Sequence, residues 1–159
     1  MNLRDYQIAA RRTSSGQGIT NAALGLVGEG GEVADLVKKH IYHGHALDRD
    51  RLADEIGDVL WYVAEMASEV GLELREVEAC IPCDLAEDAL DLAFWCAQVS
   101  SDLLEVERHE LREVLRILYA MSDHIGLTLD EIADRNIAKL SARYPDGFDP
   151  ARSQNREAE

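Results

Sequence analysis

Two acidic pairs carry the spacing needed for chemistry: Glu29 with Glu32 in LGLVGEGGEVADLVKK, and Glu55 with Asp58 in LADEIGDVLWYVAEM. Each is spaced i, i+3, which on a helix places both carboxylates on one face about a turn apart, able to grip a common cation. The direction of that face separates them from ordinary surface acids. At about 100° per residue, Ala22, Leu26, Val33 and Leu36 all fall within roughly 60° of Glu29, so Glu29 sits in the middle of an apolar stripe. The same construction puts Leu52, Val59, Tyr62 and Met66 beside Glu55, with Glu32 and Asp58 at the stripe's edge. If the two stripes bury against each other, four carboxylates meet in a low-dielectric groove, and anions there need cations.

The elements that must position these acids all read as helices. Residues 3–12 form a short one, with Leu3, Tyr6, Ile8 and Ala9 as packing residues, ending before a flexible TSSGQG stretch. A long helix over about 20–40 carries the first pair. Within it Gly28, Gly30 and Gly31 cost roughly 0.8–1 kcal/mol each relative to Ala, a cost that close approach of a helix or ligand would offset. The second pair lies on a helix over about 50–70 that Gly71 stops. A shorter helical piece, LELREVEAC, precedes Pro82. Three more helices follow at about 84–104, 107–125 and 128–143, the last opened by a Thr128/Glu131 capping box. No segment shows strand alternation, and the fold class is all-α.

A chain of 159 residues with 47% hydrophobic composition is long enough for one compact domain with a substantial core. Its net charge of −15 argues against nucleic-acid polymers and anionic membrane surfaces as partners. The N-terminus has no apolar signal core, and the longest apolar run, Val59 to Ala64, is too short to span a bilayer, so a soluble cytoplasmic protein is expected. Three cysteines in such a chain read as reduced thiols; the Cys80–Cys83 CxxC lacks a second ligand pair and reads as small apolar residues near a helix end. His40, His43 and His45 are spaced loosely around a loop.

The chain also carries an internal repeat. Gly71-Leu72-Glu73-Leu74-Arg75-Glu76-Val77 matches Gly126-Leu127-Thr128-Leu129-Asp130-Glu131-Ile132, and the same offset of 55 positions pairs Glu55 with Glu110 and Asp58 with Glu113. With a shortened loop, Trp95 falls under Glu29 and Gln98 under Glu32. The second half is a worn copy of the first that has lost half of its acidic quartet. Glu110 and Glu113 therefore read as a relic or a salt-bridged pair. The organisation expected is one domain over 1–148, with a first half at 1–80, a degenerate second half at 84–148, and a polar tail at 149–159.

The order GLVGEGGEVADLVKK, LADEIGDVLWYVAEMASEVGL and NIAKLSARYPDGF resembles the MazG-like all-α nucleoside triphosphate pyrophosphohydrolases, whose signature is an E-x-x-E pair followed by an E-x-x-D pair. The resemblance implies a helical bundle usually assembled from two chains. It implies hydrolysis of (d)NTP between the α and β phosphates to (d)NMP and pyrophosphate, removing unwanted nucleotides. Glu29, Glu32, Glu55 and Asp58 would be the catalytic metal ligands for Mg²⁺, with Mn²⁺ as a substitute, and one glutamate would take a proton from the attacking water. Substrate contacts would come from Asn136, Lys139 and Arg143 of the second half, with Tyr62 near the acidic face and Lys38 as a further phosphate contact. The two halves would form an intrachain pseudo-dimer, pairing further into a homodimer. A non-catalytic regulatory bundle that binds nucleotide or metal is the alternative.

Overall fold

In a computed structural model, residues 1–79, 81–103 and 106–151 are described, and they form six helices with no strand among them. These are α1 (Leu3–Arg11), α2 (Ile19–His43), α3 (Arg49–Glu69), α4 (Leu85–Val99), α5 (Arg108–His124) and α6 (Leu129–Arg143). Short polar side chains start most of them: Asn2, Asp48, Asp84 and Thr128 each accept a backbone N–H of the first turn. Thr128 and Glu131 complete the expected capping box. None of these helices is long and apolar enough to cross a membrane.

Helix α2 packs against α3 and α4, and α5 closes the ring by packing against the same two helices. The enclosed core includes Leu26, Val33, Ile56, Leu60, Leu92, Leu118 and Met121. Helices α1 and α6 lie together against α3. This layout is compatible with α2–α3 and α4–α5 standing in for the two chains of a dimer. The two glycines matched between the halves share a conformation: Gly71 and Gly126 take φ of 71° and 72°, the left-handed region that glycine adopts freely. In both turns the next residue reaches back to the same place, Leu72 N–H to Ala67 O (2.7 Å) and Leu127 N–H to Ser122 O (3.1 Å).

Past those turns the halves diverge, and the helix expected over LELREVEAC is absent: residues 72–79 have no regular secondary structure. The second half has Thr128 to cap its helix, whereas the first has Glu73, whose carboxylate pairs with Arg4 and Arg75 instead. Gln7 of α1 then captures the peptide groups, donating to Leu72 O (2.9 Å) and accepting from Leu74 N–H (2.9 Å). Helix α1 also departs from expectation. Its buried residues are Leu3, Tyr6 and Ala10, an i, i+3, i+7 stripe, and Ile8 is exposed.

The glycines of α2 do not share one role. A Cβ on Gly30 would lie 3.1 Å from Cys96 Sγ, so Gly30 permits the α2–α4 approach, but Gly28 and Gly31 face open space. The closest fit is at Gly25, where a Cβ would lie 2.1 Å from the Tyr62 ring. Gly25→Ala should therefore destabilise the fold by about 1–3 kcal/mol through overpacking, while Gly28→Ala should stabilise it by roughly 0.8–1 kcal/mol through helix propensity. Urea titrations of the two variants should give midpoints shifted in opposite directions.

Candidate active site

Packing α2 on α3 brings Glu29, Glu55 and Asp58 together, each partly buried, with one oxygen from each within 4.8 Å of the others. They are the one such group of His, Cys, Asp or Glu among the described residues. Glu32, expected as a fourth member, is exposed and outside the group. It lies about 60° round α2 from Glu29, at the solvent-facing edge of the stripe. Its charge still reaches Glu55. Burial first, then the charges of Asp58 and Glu32, raise the Glu55 carboxyl above the ordinary glutamate value, with Arg51 and Lys139 opposing.

Asp58 is tied to the second half of the chain. Asn136 Nδ2 donates to its Oδ1 at 2.9 Å, and Lys139 Nζ donates to Oδ1 and Oδ2 at 2.7 and 2.9 Å. Asn136 and Lys139 lie three residues apart on α6, on the face that meets α3. Gly57 makes room for them: a Cβ there would lie 3.1 Å from both Cβ and Nδ2 of Asn136. Asn136 is itself buried, and its Oδ1 accepts a hydrogen bond from the Tyr6 hydroxyl at 2.9 Å. Burial and the Asp58 charge hold that phenol well above its ordinary pKa, so it keeps its proton and remains a donor. Asn136 thus links Asp58 on α3 to Tyr6 on α1 through its two amide atoms.

Beside the acids lies a cavity of about 210 Å³ that Glu29 and Asp58 help to line. Its walls include Trp61 and Tyr62 of α3, Arg143 at the end of α6, and Tyr144 and Phe148 beyond it. The α1–α2 connection and the start of α2 supply polar groups from Thr13, Ser15, Gln17 and Asn21. Tyr62 and Arg143 both line this cavity. The TSSGQG stretch, expected to be flexible, is pinned: Trp61 Nε1 donates to Thr13 Oγ1 at 3.0 Å, and Ser14 donates to the buried Glu65 carboxylate. Thr13, Ser15, Gln17, Asn21, Tyr144 and Phe148 were not legible as site residues. The nearest sequence signal was the YPDG turn, which separates two aromatics by four residues and brings their rings to 5.5 Å.

Lys38 is not brought to the site. Nine residues past Glu29, it lies half a turn round α2, where it and Lys39 pair with Asp35 and hold that carboxyl down to about 2. The pseudo-equivalent acids have structural partners instead: Glu110 accepts from Glu107 N–H in the capping box of α5, and Glu113 pairs with Arg116 at 3.3 Å. Trp95 packs against the core and Gln98 is exposed. His40 Nδ1 meets the His45 carbonyl at 2.8 Å. Cys83 is exposed and Cys96 buried, both as free thiols, and Cys80 lies outside the described residues.

Comparison with known proteins points the same way as the acidic pairs. Residues 17–81, which span α2, α3 and both pairs, match the MazG nucleotide pyrophosphohydrolase domain. The gene 37 protein of Mycobacterium phage L5 is 38% identical over 90 residues, covering 48% of this chain and 79% of the phage protein. No solved structure gives a significant match. With three of the four signature acids drawn together on two packed helices of an all-α fold, the chain belongs to the MazG nucleotide pyrophosphohydrolase domain family.

Proposed function

We propose that this protein is an Mg²⁺-dependent nucleoside triphosphate pyrophosphohydrolase that converts a (d)NTP to the (d)NMP and pyrophosphate, clearing unwanted nucleotides. The observation that carries this is the convergence of Glu29, Glu55 and Asp58 at the edge of an aromatic-walled cavity. Hard carboxylate oxygens at this spacing suit Mg²⁺, with Mn²⁺ as a substitute, better than soft metals. Held by these three residues, with Glu32 available through water, the ion would neutralise phosphate charge and acidify a water.

The chain's own groups divide the remaining work. At about 210 Å³ the cavity is smaller than whole-ligand pockets, which run roughly 300–1,000 Å³, so it suits the base and part of the sugar and leaves the phosphates at the acidic edge. Trp61, Tyr62, Tyr144 and Phe148 offer stacking faces, while Gln17 and Asn21 offer amide edges. Arg143 in the wall and Lys139 beside Asp58 place positive charge where a polyphosphate would lie. In the reaction a water oxygen adds to one phosphorus of the α–β anhydride as that phosphorus loses the bridging oxygen. One of the glutamates accepts the water's proton. We read residues 1–148 as a single domain in two halves, the second supplying Lys139 and Arg143 to the first. Exposed Leu24, Val27, Leu90 and Phe94 on α2 and α4 support pairing into a homodimer that covers them.

Purified protein with Mg²⁺ should release pyrophosphate and a nucleoside monophosphate from at least one ordinary or damaged (d)NTP, resolved by ion-exchange chromatography. Orthophosphate with a nucleoside diphosphate would reject the cleavage position, and binding without turnover would favour a regulatory bundle. Glu55→Gln should lower turnover by about 10²-fold or more with helicity unchanged by circular dichroism; full turnover would remove Glu55 from the site.

Glu55 also sets a pH dependence. Because its folded pKa is raised, the native state holds a proton that the unfolded chain has already released, so this contribution to stability is present below the ordinary glutamate value and is lost as pH rises through the raised one. In chelator, the melting temperature should fall across that window, Glu55→Gln should flatten the fall, and Mg²⁺ should restore stability at its upper end.

A further inference from the structure

We propose that Tyr6, on a helix ahead of the family-matched segment, is a positioning residue for Asp58, acting through the amide of Asn136. The inference rests on Asp58 being a metal ligand, as proposed above. Its geometric basis is a relay of two hydrogen bonds of 2.9 Å each, from Tyr6 Oη to Asn136 Oδ1 and from Asn136 Nδ2 to Asp58 Oδ1. Tyr6 is fully buried and Asn136 is 3% exposed, so neither group can exchange its partner for bulk water.

The chemistry of the three groups permits one sense of connection. An ionised Asp58 only accepts, so the amide must turn its NH₂ toward it. The amide oxygen then points into the core, where the Tyr6 hydroxyl is its donor. Remove that hydroxyl and the oxygen is buried unsatisfied. Turning the amide over would relieve it but set the oxygen against the Asp58 carboxylate. Tyr6 therefore satisfies the amide in the orientation that Asp58 requires and fixes its position, with Lys139 bridging the two Asp58 oxygens. The fold is built around this contact: Gly57 lacks the Cβ that would crowd Asn136, and α1 packs against both α3 and α6. Outer partners of metal ligands commonly set affinity in this way.

The test uses the full chain, with Tyr6→Phe keeping the ring and removing the donor. Mg²⁺ titration by calorimetry without nucleotide should show affinity weakened about 10-fold, at the lower end of the range for outer partners. Asn136→Ala should weaken it at least as much, and the double variant should be no weaker than Asn136→Ala alone, since one path carries both effects. In metal-free protein, the Asn136 side-chain NH₂ resonances should be slow to exchange in the wild type and fast in Tyr6→Phe. A lowered melting temperature with Mg²⁺ affinity within twofold and the amide still protected would overturn the proposal and leave Tyr6 a packing residue. If Tyr6→Phe does not fold, 3-fluorotyrosine at position 6, which keeps the ring and makes the hydroxyl a stronger donor, should change Mg²⁺ affinity, and an unchanged affinity would overturn the proposal. A wild type that binds no Mg²⁺ would refute the metal-site reading, and the amide exchange would still decide whether Tyr6 holds Asn136.

Discussion

The contact on which the rest depends is the grip of α6 on the Asp58 carboxylate. Three carboxylates whose oxygens lie within 4.8 Å repel one another, by roughly 3 kcal/mol per ionised pair at an effective dielectric constant of about 20. A chain of net charge −15 offers no general relief. The relief is local. Lys139 places its ammonium across both oxygens of Asp58, Asn136 adds a neutral donor, and Arg51 lies 3.7 Å from Glu55. Burial first, and then the charges of Asp58 and Glu32, raise the Glu55 carboxyl above its ordinary value. Lys139 thus supplies, from within the chain, positive charge to an otherwise acidic cluster.

That grip also explains why the two halves have diverged. Helix α6 follows the second acidic-helix equivalent in sequence but lies on the first, because Gly57 and the α1–α6 pair offer it a fitted surface on α3. The acids of the second half have other partners. Glu110 caps α5 and Glu113 pairs with Arg116, while Trp95, in place of an acid, packs against the core. The first half shows the complementary loss. With Glu73 where Thr128 caps α6, its trailing segment stays extended, fastened by Gln7. One helix of the α6 kind remains, and one acidic site.

How much of this could be read from the chain depends on whether the governing interaction is periodic. The apolar stripes around Glu29 and Glu55 are periodic, and they located α2, α3 and their mutual packing, with Ala22, Leu26, Val33, Leu52, Val59 and Met66 all buried. The glycine stops were legible because left-handed backbone strongly favours glycine. Glu32, at the stripe's edge, and Lys38, half a turn round α2 from Glu29, lie outside the group that the stripes draw together. The cavity walls were hidden for another reason: Thr13, Asn21, Tyr144 and Phe148 come from three separate segments, and only the tertiary fold sets them side by side. Tyr6 was read as a packing residue, which is true of its ring; its hydroxyl gains significance only from Asn136, 130 positions away.

The site therefore sits on a compromise between approach and repulsion. Helices α2 and α3 come close enough for carboxylates from each to meet, and Gly25 permits this by letting the Tyr62 ring lie where a side chain would otherwise stand. Gly57 does the same for α6 on the opposite flank of α3. Larger residues at either position would spread the helices, easing the repulsion between the acids but dispersing the ligand set. Glycine in a helix interior costs roughly 0.8–1 kcal/mol, and here that cost is borne at the points where α3 meets its neighbours around Asp58. The open glycines Gly28 and Gly31 do nothing for this geometry, so whatever retains them acts outside the pairing of α2 with α3.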